Sequence, residues 1–411
     1  MIPRKPGTEK LALVMVGLPA RGKTFISRKI ARYLCWLGYR ARVFNVGDYR
    51  RALAGTKQPA QFFDPQNSIG YETRVGIAMG ALGDMIAWFR SGGEVGIYDA
   101  TNTERRRRQR VYDALTAAGV QVVFVESICE DESVVEGNVR DTKLRSPDYA
   151  DTDPEEAVRD FRARIAHYEG SYEPLDDPEK SYVKIIDVGR QFVVNRLEGY
   201  LSARLIFFLM NIHPARRTIW LTRHGECEYN VLGRIGGDTE LSPRGLEYSR
   251  SLARFMVEQG ASSNGMAAWT STLRRTVQTA QALETTPVAW RALDEIDAGV
   301  CDAMTYGEIK EQLPDEYAAR ASDKFRYRYP RGESYGDVIQ RLEPVIVELE
   351  RQRVPVLVIG HQAVVRSLYG YLMGRPQDEC PYLPVPLHTV IALTPNAYGY
   401  EERRYALEPQ V

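Results

Sequence analysis

The chain has no net charge to argue from: 54 basic residues balance 54 acidic ones over 411 residues. Whole-chain electrostatics therefore give no drive toward nucleic acid or an anionic membrane, and neither is expected as a partner. A local basic site for a small phosphorylated ligand stays open. Cysteine is scarce and scattered. Cys35, Cys129, Cys227, Cys301 and Cys380 form no metal-binding spacing, and their odd number suits a reducing compartment better than a disulfide framework. No apolar run reaches membrane-spanning length; the closest, residues 197–210, is interrupted by Glu198 and Arg204. The opening Met1-Ile2-Pro3-Arg4-Lys5-Pro6 has no signal-peptide pattern, so a cytoplasmic location is expected. Internal repeats and low-complexity tracts are missing too. What remains is ordinary globular composition, 44% hydrophobic and 26% charged, with length for about two or three domains.

Two stretches of alternating strand and helix signals fill that length. Residues 11–16 form a short apolar run that ends at a glycine loop and reads as a buried parallel strand. Helical spacing follows through Ile26, Ile30, Tyr33, Leu34 and Leu37, with Gly38 as its stop. Strands are expected at 42–46, 95–98 and 120–125, and a last helix over 195–210. The segment Asn211-Ile212-His213-Pro214-Ala215-Arg216-Arg217 ends the helical periodicity, and the expected domains are 1–214 and 215–411. The second stretch predicts strands at 218–222, 267–270 and 356–359 and helices from Ser242, over 273–283 and over 335–350. Both domains are expected to be α/β, each a mostly parallel sheet with helices on both faces.

The chemistry of the first half starts at Gly17-Leu18-Pro19-Ala20-Arg21-Gly22-Lys23-Thr24. Gly17 and Gly22 leave room for backbone N–H groups to curl round a phosphate, and the following helix start adds partial positive charge. Lys23 would reach the β- and γ-phosphates, and Thr24 would ligate Mg²⁺. Asp99 closes an apolar strand, where a second Mg²⁺ carboxylate or a base for an accepting hydroxyl belongs. Thr101 and Asn102 follow it, and Arg50, Arg51 and Arg74 are candidates to clamp an acceptor phosphate. Arg105 to Arg108 read as a solvated helix face, with Arg105 near enough to reach the site.

The second half turns on Leu221-Thr222-Arg223-His224-Gly225-Glu226. A neutral imidazole at a strand end can attack phosphorus and form a phosphohistidine. Neighbouring arginines disfavour the imidazolium and bind the equatorial oxygens. Gly360-His361 repeats the strand-to-loop setting, and Glu295 between them is the candidate general acid. His167, His213 and His388 read as structural.

These motifs do not stand alone. Val43-Phe44-Asn45-Val46-Gly47, Asp99-Ala100-Thr101-Asn102-Thr103 and Ser146-Pro147-Asp148-Tyr149 join the glycine loop. Leu209 to His213, Gly233 to Asp238, Glu295 to Cys301, Tyr327 to Tyr335 and His361 to Val364 continue the pattern. Over roughly residues 10–400 the sequence resembles the family of bifunctional 6-phosphofructo-2-kinase/fructose-2,6-bisphosphatases, a P-loop kinase fused to a phosphoglycerate-mutase-like histidine phosphatase. The resemblance implies ATP and Mg²⁺ held by Lys23, Thr24 and Asp99, with Asn138 on the nucleotide side. It implies fructose 6-phosphate binding or transfer at Arg50, Arg51, Arg74, Thr101, Arg105, Lys143, Arg164 and Tyr168. In the phosphatase half it implies His224 as nucleophile, Glu295 as acid and His361 on the transferring phosphoryl group, with Arg223, Asn230, Gly236 and Arg275 around them. Tyr306, Arg320, Lys324 and Arg328 match the pocket for the sugar's 6-phosphate, with Gln362 and Arg366 nearby. A homodimer and a role in balancing glycolysis against gluconeogenesis are implied as well. The chain starts 16 residues before the loop and ends soon after Tyr400, so the regulatory extensions of animal members are not expected. Cys227 stands where serine or asparagine is usual, and Gly360 where cysteine is common in animals.

Three alternatives stay open on the sequence. A polynucleotide kinase-phosphatase would need a basic groove. A sensor would bind sugar phosphate without turnover. A third reading has only one half active.

Overall fold

Residues Leu11–Val16 (β1) are buried at every position. Successive strand side chains point to opposite faces, so burial of all of them requires cover on both. The computed structural model, which describes residues 10–140, 146–149, 152–214, 216–260, 265–396 and 399–407, supplies that cover. The chain forms two units, one built mainly from the residues up to Met210 and the other mainly from Asn211 onward.

In the first unit β1 is joined by Ala41–Asn45 (β2), Val95–Asp99 (β3), Gln121–Ile128 (β4), Tyr182–Ile186 (β5) and Gln191–Asn195 (β6) in the order β2-β3-β1-β4-β5-β6. All neighbours run parallel except β6, which pairs antiparallel with β5. Parallel strands bring their carboxyl ends to one edge, the usual ligand edge of an open α/β sheet. Asn45 lies opposite Asp99 there, and the glycine loop leaves from β1. The core beneath packs Phe44, Met85, Phe89, Tyr98, Leu115 and Phe124 together.

The second unit holds Ile219–Arg223 (β7), Ala267–Thr270 (β8), Val288–Ala289 (β9), Val356–Gly360 (β10), Thr389–Asn396 (β11) and Gly399–Ala406 (β12) in the order β12-β11-β7-β10-β8-β9. β7, β10, β8 and β9 are parallel; β11 runs antiparallel to β7 and β12. Gly360 pairs with Arg223, so His224 and His361 leave adjacent strands side by side. Ser242 caps Pro243–Glu258 through Gly245 N–H, with proline in the first turn as the sequence predicted.

The expected helix over 195–210 starts later, at Tyr200. Asn195 ends β6 and spends its amide on the Pro178 and Lys180 carbonyls. Gly199, at φ 89°, then breaks the chain before the helix. Val46 opens a helix rather than closing β2, because the Asn45 side chain accepts Asp48 N–H as an N-cap.

Candidate functional site

Each unit gathers its chemistry at the carboxyl edge of its sheet. In the first, Gly17 has φ 129°, and a Cβ there would meet Ser127 O at 2.4 Å, so only glycine fits. Ser127 Oγ donates to Arg21 O (2.5 Å), Asn138 Nδ2 to Ala20 O (2.9 Å) and Gly17 N to Thr101 O (2.9 Å). These bonds brace the loop through the carbonyls of Ala20 and Arg21 and the N–H of Gly17. Lys23 opens the helix Lys23–Trp36 and rests its ammonium on Leu18 O at 2.5 Å. Asn45 Nδ2 donates to Asp99 Oδ2 at 2.5 Å and lies 3.5 Å from Thr24 Oγ1. A hydroxyl and a buried carboxylate thus meet beside the loop.

A second cluster surrounds Phe63. Arg164, Arg50 and Arg74 place their guanidinium carbons 4.6, 5.7 and 5.9 Å from its ring centre. Tyr168 packs at 6.2 Å. Arg50 is pinned to Asp148 at 2.5 Å and Arg164 to Asp160 at 2.8 Å. A small concavity alongside is lined by Phe63, Arg74, Thr103, Glu104, Arg107, Tyr168 and Ser171 among others.

In the second unit His224, Arg275 and His361 are 4%, 3% and 0% exposed. Their donors and acceptors fix the protons. His224 Nδ1 lies 2.6 Å from Gly225 O, which only accepts, so Nδ1 carries the hydrogen. Nε2 is left with its lone pair and receives Arg275 Nε–H at 3.2 Å. The same Nε reaches His361 Nδ1 at 3.1 Å. Burial first, then Arg275 and Arg223, push the His224 pKa well below its usual value. Burial therefore outweighs the arginines as the cause. His361 is lowered by burial, then by Arg275 and His224. Glu295 accepts N–H bonds from Ile296 (2.9 Å), Gln362 (2.9 Å) and Ala363 (3.2 Å), the last two at the start of the helix Gln362–Met373.

These groups open into a cavity of about 340 Å³. Arg223, Arg234, Arg275, Arg320, Lys324 and Arg366 line it against the single acid Glu295. Arg320 bonds Tyr306 OH at 2.9 Å and Tyr329 OH at 2.8 Å. Burial, then Arg366 and Arg320, lower the Lys324 pKa to about 8. A cavity with an unprotonated imidazole nitrogen among six cationic side chains suits a small phosphorylated molecule.

A family model described as 6-phosphofructo-2-kinase matches residues 2–216, and one described as histidine phosphatase superfamily (branch 1) matches residues 219–408. A 6-phosphofructo-2-kinase/fructose-2,6-bisphosphatase of Arabidopsis thaliana is 52% identical over 97% of this chain. The match spans 54% of the Arabidopsis protein, so the chain spans about half that relative's length. Two further relatives, 6-phosphofructo-2-kinase/fructose-2,6-bisphosphatase 4 of Rattus norvegicus and 6-phosphofructo-2-kinase/fructose-2,6-bisphosphatase 1 of Homo sapiens, are each 51% identical over 94% of this chain, covering 83% and 82% of their own lengths. The chain belongs to the 6-phosphofructo-2-kinase/fructose-2,6-bisphosphatase family.

No described helix is long and apolar enough to cross a membrane. Arg51 turns to Asp48 (2.5 Å) and Asp148 (3.3 Å). Arg105 pairs with Asp176 and, at 3.5 Å, with Asp177, while Arg107 lines the concavity beside Phe63. Arg108 is not on a solvated face. It is buried and donates to the carbonyls of Asn102 (3.2 Å), Thr103 (2.9 Å), Glu173 (2.9 Å) and Pro174 (3.2 Å). Arg328 pairs with Asp337 and is absent from the cavity lining. Tyr306, Arg320, Lys324, Gln362, Arg366, Arg223, Asn230 and Gly236 do line it. Lys143 lies outside the described residues. Sequence reasoning passed over Asn45, Arg107 and Arg234 as site residues, although Asn45 and Arg234 stand inside the motifs that carry the family likeness. Asn230 accepts Cys227 N–H at 3.1 Å, and Cys227 Sγ contacts the same oxygen at 3.2 Å, so cysteine serves at this helix start.

Proposed function

We propose that the chain makes and breaks one metabolite at two sites, with residues 1–214 as the kinase and 215–411 as the phosphatase. The first transfers the γ-phosphoryl group of ATP to the 2-hydroxyl of fructose 6-phosphate. The second hydrolyses fructose 2,6-bisphosphate to fructose 6-phosphate and phosphate. The supporting observation is the Arg275 guanidinium shared between a deprotonated His224 Nε2 and His361 Nδ1, inside a cavity lined by five further cations.

In hydrolysis His224 Nε2 bonds phosphorus as the bond from phosphorus to the 2-oxygen breaks, and Glu295 gives that oxygen a proton. Water then attacks phospho-His224, returning a proton to Glu295 as the bond from phosphorus to Nε2 breaks, and yields phosphate and the free imidazole. Arg223 and Arg275 stabilise the charge on the equatorial oxygens. The cluster of Tyr306, Arg320, Lys324 and Arg366 takes the 6-phosphate. In the kinase half, Lys23 and the loop hold the nucleotide phosphates, and the Phe63 cluster with Arg74, Arg107 and Tyr168 takes fructose 6-phosphate. Thr24 and Asp99 would hold Mg²⁺. Asn45 keeps these two together. Among the described residues no group of three or more His, Cys, Asp or Glu could hold a metal alone, which fits an ion arriving with the nucleotide phosphates. Mg²⁺ would neutralise charge on those phosphates. A homodimer, a cytoplasmic location and control of glycolysis against gluconeogenesis complete the reading.

The test is incubation with fructose 6-phosphate and Mg-ATP, following an acid-labile sugar bisphosphate. Lys23→Met is expected to abolish its formation and leave phosphate release intact; His224→Ala does the reverse. Loss of both activities from either change in a folded protein would refute two independent sites.

A further inference from the structure

Beneath His361 lies a polar cluster that the mechanism has not used. Ser271, directly after β8, places Oγ 2.7 Å from His361 Nε2 and 2.8 Å from Thr276 Oγ1, and receives Leu273 N–H at 3.1 Å. Ser271, Thr276 and His361 are all fully buried. The fixed donors determine every proton in this cluster. Arg275 Nε only donates, so His361 Nδ1 accepts. In a neutral imidazole the hydrogen then sits on Nε2 and points at Ser271 Oγ. That oxygen now accepts two bonds, from Leu273 and from His361, so its own hydrogen goes to Thr276. Thr276 passes its hydrogen to Leu273 O at 2.8 Å. Each of these donors has an acceptor, and no direction has to be reversed.

We propose that Ser271 is a positioning residue for dephosphorylation, holding the hydrogen on His361 Nε2 so that Nδ1 stays turned toward Arg275 and the His224 nucleophile. The proposal rests on the phosphatase reading above. Arg275 alone does not secure the ring, because its Nε is shared with His224, and incoming phosphoryl oxygens compete for the same guanidinium. Ser271 is tied instead to main chain at Leu273 and to Thr276, neither of which the substrate reaches. It keeps its grip on Nε2 while the other side of the ring exchanges partners.

The experiment observes the His361 nitrogens of the ¹⁵N-labelled full chain by NMR, alongside phosphate release from fructose 2,6-bisphosphate. Wild type is expected to show a protonated Nε2 and a bare Nδ1. In Ser271→Ala the two signals move toward each other as tautomers exchange, and kcat falls about 10–100-fold, the range for losing the partner that orients a metal-bound histidine. KM changes by less than about threefold, since no substrate contact is removed. Ser271→Thr keeps the hydroxyl and restores most of the rate. Thr276→Val frees the Ser271 hydrogen to turn toward His361 and moves the nitrogen signals the same way; it carries the test if Ser271→Ala does not fold. Unchanged signals and turnover in Ser271→Ala would overturn this proposal alone. The nitrogen measurement needs no substrate, so a wild type with protonated Nε2 but no phosphate release would instead overturn the phosphatase reading.

Discussion

Replacing Arg275 with methionine isolates what the shared guanidinium does. Methionine fills much of the same volume in a site only 3% exposed, so the change removes charge and donors rather than opening a large cavity. Three bonds are lost: those to His224 Nε2 (3.2 Å), His361 Nδ1 (3.1 Å) and Gly237 O (2.6 Å). The first two aim at the place where phosphoryl charge develops. Removing one such donor costs about 10²–10³ in kcat, or about 2.7–4 kcal/mol. The third anchors the turn at Gly236 and Gly237 and affects KM. The acid limb of the pH profile gives an independent check. Burial is the first cause of the low His224 pKa and Arg275 the second. Deleting the second raises that pKa, so imidazolium forms at higher pH and the acid limb shifts upward. The assay is phosphate release from fructose 2,6-bisphosphate between about pH 5 and 9, with kinase activity of the same preparation as control. A kcat within about threefold of wild type and an unmoved acid limb would refute the role given to Arg275.

Lys324 has its pKa lowered to about 8 by burial and by Arg366 and Arg320. Raising the pH past that value removes its charge, so KM for the bisphosphate should rise, and Lys324→Arg should flatten the dependence; steady-state kinetics across that range decide it. Arg107→Ala should raise the KM for fructose 6-phosphate about 10–100-fold, the worth of a charge-assisted bond. Arg105→Ala, in an exposed ion pair, should change it by less than about twofold; equal effects would overturn the geometric choice between them. His224 and His361 are both buried neutral with lowered pKa values. The unfolded chain therefore binds more protons as pH falls below about 6.5, and the phosphatase unit should lose up to about 1.4 kcal/mol per pH unit for each histidine. Denaturant midpoints followed by tryptophan fluorescence from pH 8 to 5 would show half that slope if one ring were charged in the fold, and none from these rings if both were.

What the sequence revealed and what it hid follow one physical line. Gly17 to Thr24 and Arg223-His224-Gly225 are local: each follows directly on the end of a strand, and the groups proposed to bind or react lie in consecutive residues. The run from Arg105 to Arg108 is also local, yet its roles were illegible. Adjacent helical positions differ by about 100°, so one faces Asp176, another the concavity and a third the interior. Which is which depends on how the helix is rotated against its neighbours, and four identical side chains carry no trace of that. Strands β5, β6 and β12 were missed for a related reason. Their half-exposed faces break the apolar run that marked β1 and β10. Glu295 shows the limit most clearly. Its motif made it a candidate acid, but its carboxylate is aimed by N–H groups of Gln362 and Ala363, 67 and 68 residues further on. Those donors are backbone atoms that any residue supplies, so no side-chain pattern announces them. Only the meeting of β10, the helix that follows it and the Glu295 loop makes the carboxyl group a neighbour of the phosphoryl site. The residue type was readable because chemistry restricts it, and its aim was not, because that is held by the fold.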